Sequence, residues 1–554
     1  MMPRPVFICC TDDGTCYIPA AFLSQTGKAL DDKTPLLRSN DAVNREGLRL
    51  LGLLGGFEDT RQVVTYLGWE QEFFIVSREA FLKRPDLVAT GRTLLGAPPT
   101  RGQQMDQHYF GPVPGPVKAC LDDVQAALLR IGCPLNVYHN EVAPSQHEIS
   151  PFFTISNVSA DLNQIAMQLC VDIGAKHGLV FLFHEKPFAG LNGSGKHNNW
   201  SLGTTGGVNL LNPKQINAAS KNPEIFPVIM AALVSAIDKH GDLMRLSIAS
   251  PGNDFRLGAM EAPPAVMSTY LGEDMTKYLM DFMQTGKIDA YVPSKKKLGF
   301  GADAISDIEV PAEDRNRTSP FPYGGARFEF RAAGSAQNVS LINTVLNTIA
   351  AEAFAIVADR IEAGESPTEV AQDLLKKHSK VIFNGNGYDP EWPDQAVEKG
   401  IWRIDSGVDA IKKFTDAKNT ELFEKMGVFS PRECEARRTV LLEHYIGSVE
   451  MEAMTMVDMI NQHVIPSCKK AELGYVKQLE DSVKTLTKAV SEIHAAADEA
   501  EGAALARSLR LDTMIKVREI CDEAEGLCPP SLWTLASYAE LLFLDTHPEG
   551  DLLL

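Results

Sequence analysis

Apolar and polar positions change their period along the chain. Between residues 63 and 354, runs of β-branched and aromatic residues alternate with loops rich in Gly, Pro and Asn. VVTYLGWEQEFFIV (63–76) predicts a strand that crosses Gly68. LNVYHNEV (135–142), LVFLFHEKPF (179–188), NNWSLG (198–203) and RFEFRA (327–332) predict further strands. Helical spacing marks residues 43–54, 160–177 and 227–247. Beyond Phe354 the pattern is nearly all helical. Residues 433–462 are rich in helix formers, and Pro466 is expected to interrupt them. Val476, Leu479, Val483, Leu486, Val490 and Ile493 recur at alternating steps of three and four, over fewer than three heptads. That length predicts a short helical hairpin and not a long coiled coil. The expected organisation is an opening segment (1–62), an α+β body (63–355) and an all-helical region (356–554).

Length and charge narrow the class. A chain of 554 residues buries a large core and exceeds one ordinary domain. Its formal net charge of -19 argues against a nucleic-acid partner, because phosphate backbones are met with an excess of Lys and Arg. No apolar run reaches the roughly 20 residues that span a bilayer, so no membrane partner is expected. The 10 cysteines are scattered and contain no CxxC pair, which predicts reduced thiols and a cytoplasmic setting, with an organellar address left open.

Four segments carry candidate chemistry. Glu70 and Glu72 are one residue apart on a predicted strand, so both carboxylates share a face. They read either as a solvated strand edge or, given Trp69, Phe73 and Phe74 beside them, as buried acids that need a cation. HNEVAPSQHEI (139–149) brings Glu141 and Glu148 around a Pro-containing loop, as an acidic hairpin or as ligands. In NGSGKHNNW, residues 190–196 fit a phosphate loop until His197 replaces the required Ser or Thr. A strand-like run follows where a helix should, so the phosphate-loop reading is rejected. His197 then reads as a metal ligand or a structural histidine. In RFEFR, period two sets Phe328 and Phe330 on one face and Arg327, Glu329 and Arg331 on the other. That row is either a surface ion-pair ladder or a metal ligand flanked by anion clamps. Together these elements offer hard oxygen donors with one nitrogen, a set suited to Mg²⁺ or Mn²⁺ and, with arginines, to phosphoryl transfer.

GWEQEFF, HNEVAPSQHEI, KPFAGLNGSGKHNNWSL, NDFRLGAMEAPPA and NRTSPF…RFEFRAAGSAQN resemble, in order, the signature blocks of glutamine synthetase. KHNNW after NGSG, the TGRTLLGAPP segment, NGNGY and MVDM look like the type III branch. The resemblance implies a curved antiparallel sheet with flanking helices, followed by the helical region. It implies ATP-dependent ligation of ammonia to glutamate through γ-glutamyl phosphate, with two or more divalent cations per site. Glu72, Glu141 and Glu148 would hold the cation beside glutamate, and Glu70, His197 and Glu329 the one bridging the ATP phosphates. Asn192 and Gly193 would meet the glutamate amino end, Arg256 and Arg331 its carboxylates. Arg317 would stabilise the phosphoryl group in flight, and Glu261 would be the flap carboxylate that accepts a proton from ammonia. Asn199 and Ser201 fall where the family contacts nucleotide. A ring-forming homo-oligomer, hexamer or double hexamer, is also implied.

Two departures stand out. The family places a β-grasp domain before the catalytic body, and only its connecting segment is recognisable here; none of Asp12, Asp13, Asp31 and Asp32 can be matched to the acidic residue that domain contributes. Pro322 stands near where many relatives carry a further phosphate-binding arginine, for which Arg327 is the substitute. A ligase for a larger amine and a catalytically silent relative are the rival readings; intact presumptive ligands favour an enzyme.

Overall fold

The computed structural model describes residues 9–11, 14–260, 262–294, 296–302, 304–310 and 316–544. Its organising element is one 15-residue strand, Val63–Ser77, at the centre of a seven-stranded sheet. One edge of this central strand pairs with Lys196–Thr204 and then Leu179–Leu182; the other pairs with Thr154–Ile155 and then Gln146–Pro151. Leu135–Asn140 and Phe328–Phe330 complete the sheet on opposite sides, and every pairing is antiparallel.

Strict alternation along the central strand divides its neighbours. Trp69, Phe73 and Ile75 pack with Val117, Leu121, Leu162 and Leu169 of the helices Gly115–Arg130 and Ser156–Lys176. Gln71 lies on the same side, where its Oε1 accepts from Asn163 Nδ2 at 3.3 Å. The even positions meet three environments in turn. Tyr66 and Gly68 line one pocket, Glu70 and Glu72 line another, and Phe74 and Val76 enter an apolar cluster with Phe188 and Leu542.

The predicted strands at 63–76, 198–203 and 327–332 correspond to observed strands, with small shifts at their ends. The strand expected over 179–188 ends at Leu182, since the chain turns before Pro187, which has no amide to donate. Gln146–Pro151 was legible only as the return of an acidic loop; it pairs on both sides. The helix expected from 43 begins at Lys33. Pro466 does not end its helix: Pro431–Met459 runs into a π-helical turn, Ile460–Val464, and continues as Ile465–Lys470. The wider turn accommodates a ring that cannot join the regular ladder.

One hydrophobic core joins all three segments. Ala42 and Leu50 of the helix Lys33–Leu54, Val228 and Ile349 of the body, and Leu442, Leu486 and Val490 of the C-terminal helices belong to the same buried cluster. The boundary expected at 355 falls inside the helix Ser340–Glu362. That helix is the one described element long and apolar enough to cross a membrane, and 89% of its apolar window is buried between neighbouring helices.

Candidate active site

Sheet register gathers the carboxylates. Glu70 stands opposite His197, Glu72 opposite Glu148, and Glu148 in turn opposite His139, while Glu329 is opposite Asn199. Because facing residues on adjacent strands project to the same side, a row of acids and imidazoles crosses the sheet. Glu141 joins from the turn after Leu135–Asn140, fixed by its amide donating to the Gln146 carbonyl at 2.9 Å. The resulting pocket is lined by Glu70, Glu72, Glu141, Glu148, His139, His197, Asn192, Gly193, Arg256, Arg317 and Arg331, with Tyr109, Gln146 and Tyr388.

Distances within the row are short. Glu70 Oε2 lies 2.9 Å and Glu329 Oε1 3.4 Å from His197 Nδ1, and Glu72 Oε1 lies 3.6 Å from His197 Nε2. His139 Nε2 is 3.3 Å from Glu148 Oε1 and its Nδ1 3.7 Å from Glu141 Oε1. Arg331 Nη1 donates to Glu329 at 2.6 Å. Ligand atoms of Glu70, Glu148 and His197 lie within 4.8 Å of one another, as do those of His139, Glu141 and Glu148; each trio can hold a metal ion. These groupings differ from the expected partition. Glu148 belongs to both, and Glu72 has one oxygen turned to the Gly195 amide, which donates to it at 2.7 Å.

Burial first, and the crowding of like charges after it, sets the protonation of the acids. Burial, with Glu72 and Glu148 nearby, pushes the Glu141 carboxyl up to about 8. Burial also raises Glu148, against its bond with His139. The hydrogen bond with Glu148 lifts His139 to about 9, against burial. Glu70 goes the other way: burial raises it, but His197, Asn199 and Arg331 together bring it down to about 2. Buried carboxylates with hard oxygen donors and few nitrogens make a set that could hold a divalent metal ion.

The arginines approach from two directions. Arg256 is buried, its Nη1 donating to the Ala333 carbonyl at 3.0 Å and its Nη2 to the Arg331 carbonyl at 3.1 Å. Arg331 Nε is buried and has no hydrogen-bond partner among the described residues. Arg317 Nη2 is 3.4 Å from the Tyr109 hydroxyl, and Tyr388 donates to the Arg317 carbonyl at 3.0 Å. Glu261 lies outside the described residues; Met260 and Ala262, on either side of it, line the pocket.

Across Glu70 a second pocket opens, lined by Tyr66, Gly68, Phe152, Phe153, Asn199, Ser201 and Arg327. Asn199 bridges the two: its Nδ2 donates to Glu70 at 2.9 Å and its Oδ1 accepts from Arg327 Nε at 2.6 Å. Ser201 Oγ donates to the Ala326 carbonyl at 3.0 Å. Pro322 pairs as a short strand with Tyr270 and lines neither pocket. After His197 the chain continues as strand, so no helix N-terminus follows the glycine loop. Asp31 and Asp32 engage Arg437 on the helix Pro431–Met459, and Asp12 and Asp13 lie outside the described residues.

Reading the sequence alone left His139 and Gln146 unassigned. His139 sits in the same quoted block, and period two along 139–141 would have placed it on the face of Glu141. Gln103 was also missed: its Oε1 accepts from the Asn192 amide at 2.6 Å and its Nε2 donates to Asn192 Oδ1 at 2.9 Å. It comes from a loop with no periodic signal.

Comparison with known proteins agrees with this geometry. Residues 57–226 match the glutamine synthetase catalytic domain, 367–487 the glutamine synthetase C-terminal domain, and 2–39 the glutamine synthetase type III N terminal model. The chain is 38% identical to a type-3 glutamine synthetase of Dictyostelium discoideum, over 98% of this chain and 78% of that protein. It is 36% identical to a glutamine synthetase of Butyrivibrio fibrisolvens (96% and 80%) and 34% identical to one of Bacteroides fragilis (96% and 78%). With its acid-lined sheet and these relatives spanning nearly its whole length, the chain belongs to the glutamine synthetase family.

Proposed function

We infer that this protein is a glutamate–ammonia ligase: it phosphorylates the glutamate side chain with ATP and transfers the activated acyl group to ammonia, giving glutamine, ADP and phosphate. One observation carries the reading. Five carboxylates and His197 converge between a pocket that ends in Arg256, Arg317 and Arg331 and a second pocket entered past Asn199 and Arg327.

The reading gives each residue a role. Glu72, Glu141 and Glu148 would hold a cation on the glutamate side; Glu70, His197 and Glu329 would hold one on the nucleotide side. Bound there, Mg²⁺ or Mn²⁺ supplies charge neutralisation and alignment for the phosphates. His139 serves as the counter-ion that keeps Glu141 and Glu148 together before the cation arrives. Asn192 and Gly193 receive the glutamate amino group, and Arg256 and Arg331 its carboxylates; the unpartnered Arg331 Nε supplies a donor. Arg317 stabilises charge on the transferring phosphoryl group, whose oxygens gain charge as the bond to ADP breaks. Asn199, Ser201 and Arg327 receive the nucleotide. Glu261 takes the proton that the attacking nitrogen loses. Excluding water at this stage protects the acyl phosphate from hydrolysis.

Three finer statements belong to the same reading. The functional units are 1–62, 63–355 and 356–554, although their cores merge. The assembly is a ring-forming homo-oligomer, a hexamer or double hexamer, which light scattering measures. The setting is cytoplasmic, in keeping with the buried free thiols of Cys120, Cys170, Cys434 and Cys521.

The test is phosphate release and glutamine formation by the purified protein with ATP, glutamate, Mg²⁺ or Mn²⁺, and ammonia or larger amines. Turnover with ammonia is expected. No glutamate-dependent phosphate release with any amine, while ATP still binds, would overturn the reading.

A further inference from the structure

The apolar cluster at the end of the central strand contains a contribution from far along the chain. Ala536, Tyr538, Leu541, Leu542 and Phe543 pack with Phe74, Val76, Ala143, Phe188 and Leu191. Ala143 lies in the loop between Glu141 and Glu148, and Phe188 and Leu191 lie just before Asn192 and Gly193. A single C-terminal strap, residues 535–544, therefore backs both loops on the glutamate side. Among the described residues, the nucleotide-side pocket of Asn199, Ser201 and Arg327 has no lining residue from the strap.

Polar contacts fix each loop separately. The Tyr538 hydroxyl accepts from the Ala189 amide at 3.1 Å, lies 2.6 Å from Thr93 Oγ1, and accepts from Arg518 Nη2 at 2.6 Å. Its ring stands edge-on to Phe188, centroids 5.1 Å apart. Thr93 in turn donates from both its amide and its hydroxyl to the Pro187 carbonyl, at 2.9 Å and 2.7 Å. On the second loop, Ser145 has a left-handed backbone, φ 62°, and its Oγ donates to the Leu542 carbonyl at 3.1 Å. A non-glycine residue persists in that conformation only when its surroundings hold it. Room for the strap is reserved as well: a Cβ on Gly96 would lie 2.3 Å from Tyr538 Cε1.

We propose that the strap 535–544 positions the glutamate half of the site, with Tyr538 the positioning residue for the 189–193 loop. Tyr538 touches no substrate; it acts by fixing the Ala189 amide and hence the presentation of Asn192 and Gly193. The proposal rests on the reading that these two residues meet glutamate.

The test is Tyr538→Phe in the full-length protein, which keeps the ring on Phe188 and removes only the hydroxyl. Losing the partner that fixes this half-buried amide bond is expected to raise the glutamate KM roughly tenfold, with the ATP KM and kcat at their wild-type values. Amide hydrogen exchange should quicken in 188–193 and stay unchanged in 196–204. Gly96→Ala, which displaces the ring, should reproduce the same split. An unchanged glutamate KM with unchanged exchange in 188–193 would overturn the proposal. So would equal rises in both KM values with exchange quickened across 196–204, the signature of general loosening. If the wild-type protein shows no glutamate-dependent turnover, the substrate reading fails by itself, and the exchange pattern in 188–193 still decides for or against the strap.

Discussion

Adding a divalent cation to the cation-free protein should expel protons, and the amount follows from the site. Glu141 titrates near 8, so at pH 7 it is about nine-tenths protonated. His139, near 9, is also protonated at that pH. A cation binding between Glu141 and Glu148 needs the carboxylates ionised and makes the imidazolium a repelled neighbour. Between about one and two protons should leave per cation near pH 7. Isothermal titration with Mn²⁺ in buffers of different ionisation enthalpy reads this number directly. Affinity should rise about tenfold per pH unit below 8 for each proton released, then level off. The linked stability has a definite sign. Glu141's pKa in the fold lies above its ordinary 4.5, so its contribution is fully present below about 4.5 and is lost as pH rises through about 8. Cation-free protein should therefore weaken across that window, and the rise in Tm on adding Mn²⁺ should be larger at pH 8.5 than at pH 6. Glu141→Gln should abolish about one released proton and weaken Mn²⁺ by more than the roughly 10–100-fold that outer-sphere partners cost. A buffer-independent binding enthalpy at pH 7 would refute this account of the acid cluster.

Three other outcomes follow from geometry. Glu329→Gln should lower phosphoryl transfer by about 10²–10³ or more while the fold is kept; a near-normal rate, measured by phosphate release with circular dichroism as control, would remove Glu329 from the cation site. Arg327→Ala breaks the 2.6 Å bond to Asn199 and should raise the ATP KM about tenfold, leaving the glutamate KM unchanged in steady-state kinetics. Glu452→Gln should shift the urea midpoint downward, because it leaves Arg92 and Arg510 buried beside an uncharged amide, a loss of roughly 3 kcal/mol or more. Although burial alone would raise Glu452, Arg510 and Arg92 hold it near 2, so its contribution is intact at pH 7 and fades only as pH falls from about 4.5 towards 2.

Much of this was legible because strands declare themselves by a period of two. Glu70 and Glu72 on one face of 63–76, and Arg327, Glu329 and Arg331 on one face of their strand, could be placed from alternation alone. What alternation does not give is which strand lies beside which. Register put Glu148 between Glu72 and His139, and so made His139 part of the cluster, whereas spacing along 139–141 related it only to Glu141. Gln146–Pro151 was hidden because a turn residue, Pro144, and a left-handed Ser145 precede it, the marks of a loop. Pro466 misled in the opposite direction, since a π-helical turn absorbs it without ending the helix. Contacts between segments hundreds of residues apart, such as Tyr538 with Ala189, leave no local trace at all.

The helical region is bound to the catalytic chemistry through charge as well as packing. Arg92 and Arg510 each place a guanidinium 4.6 Å over the ring of Phe255, and both donate to Glu452 of the helix Pro431–Met459 at 2.8 Å. Phe255 immediately precedes Arg256, whose guanidinium faces the pocket. Removing either arginine exposes one face of that ring and leaves a buried carboxylate short of a partner, a larger disturbance than losing a surface pair. Asp254, on the other side of Phe255, accepts from Tyr445 at 2.9 Å and from Arg245 at 3.3 Å. The short helix Asn253–Arg256 is thus held directly from residues 92, 245, 445 and 510, with Glu452 pairing both Arg92 and Arg510, and residues 445, 452 and 510 belong to the C-terminal region. A substrate-facing arginine mounted in this way cannot keep its position if the helical region detaches, which is why the body 63–355 expressed alone should lose glutamate binding even where its sheet still forms.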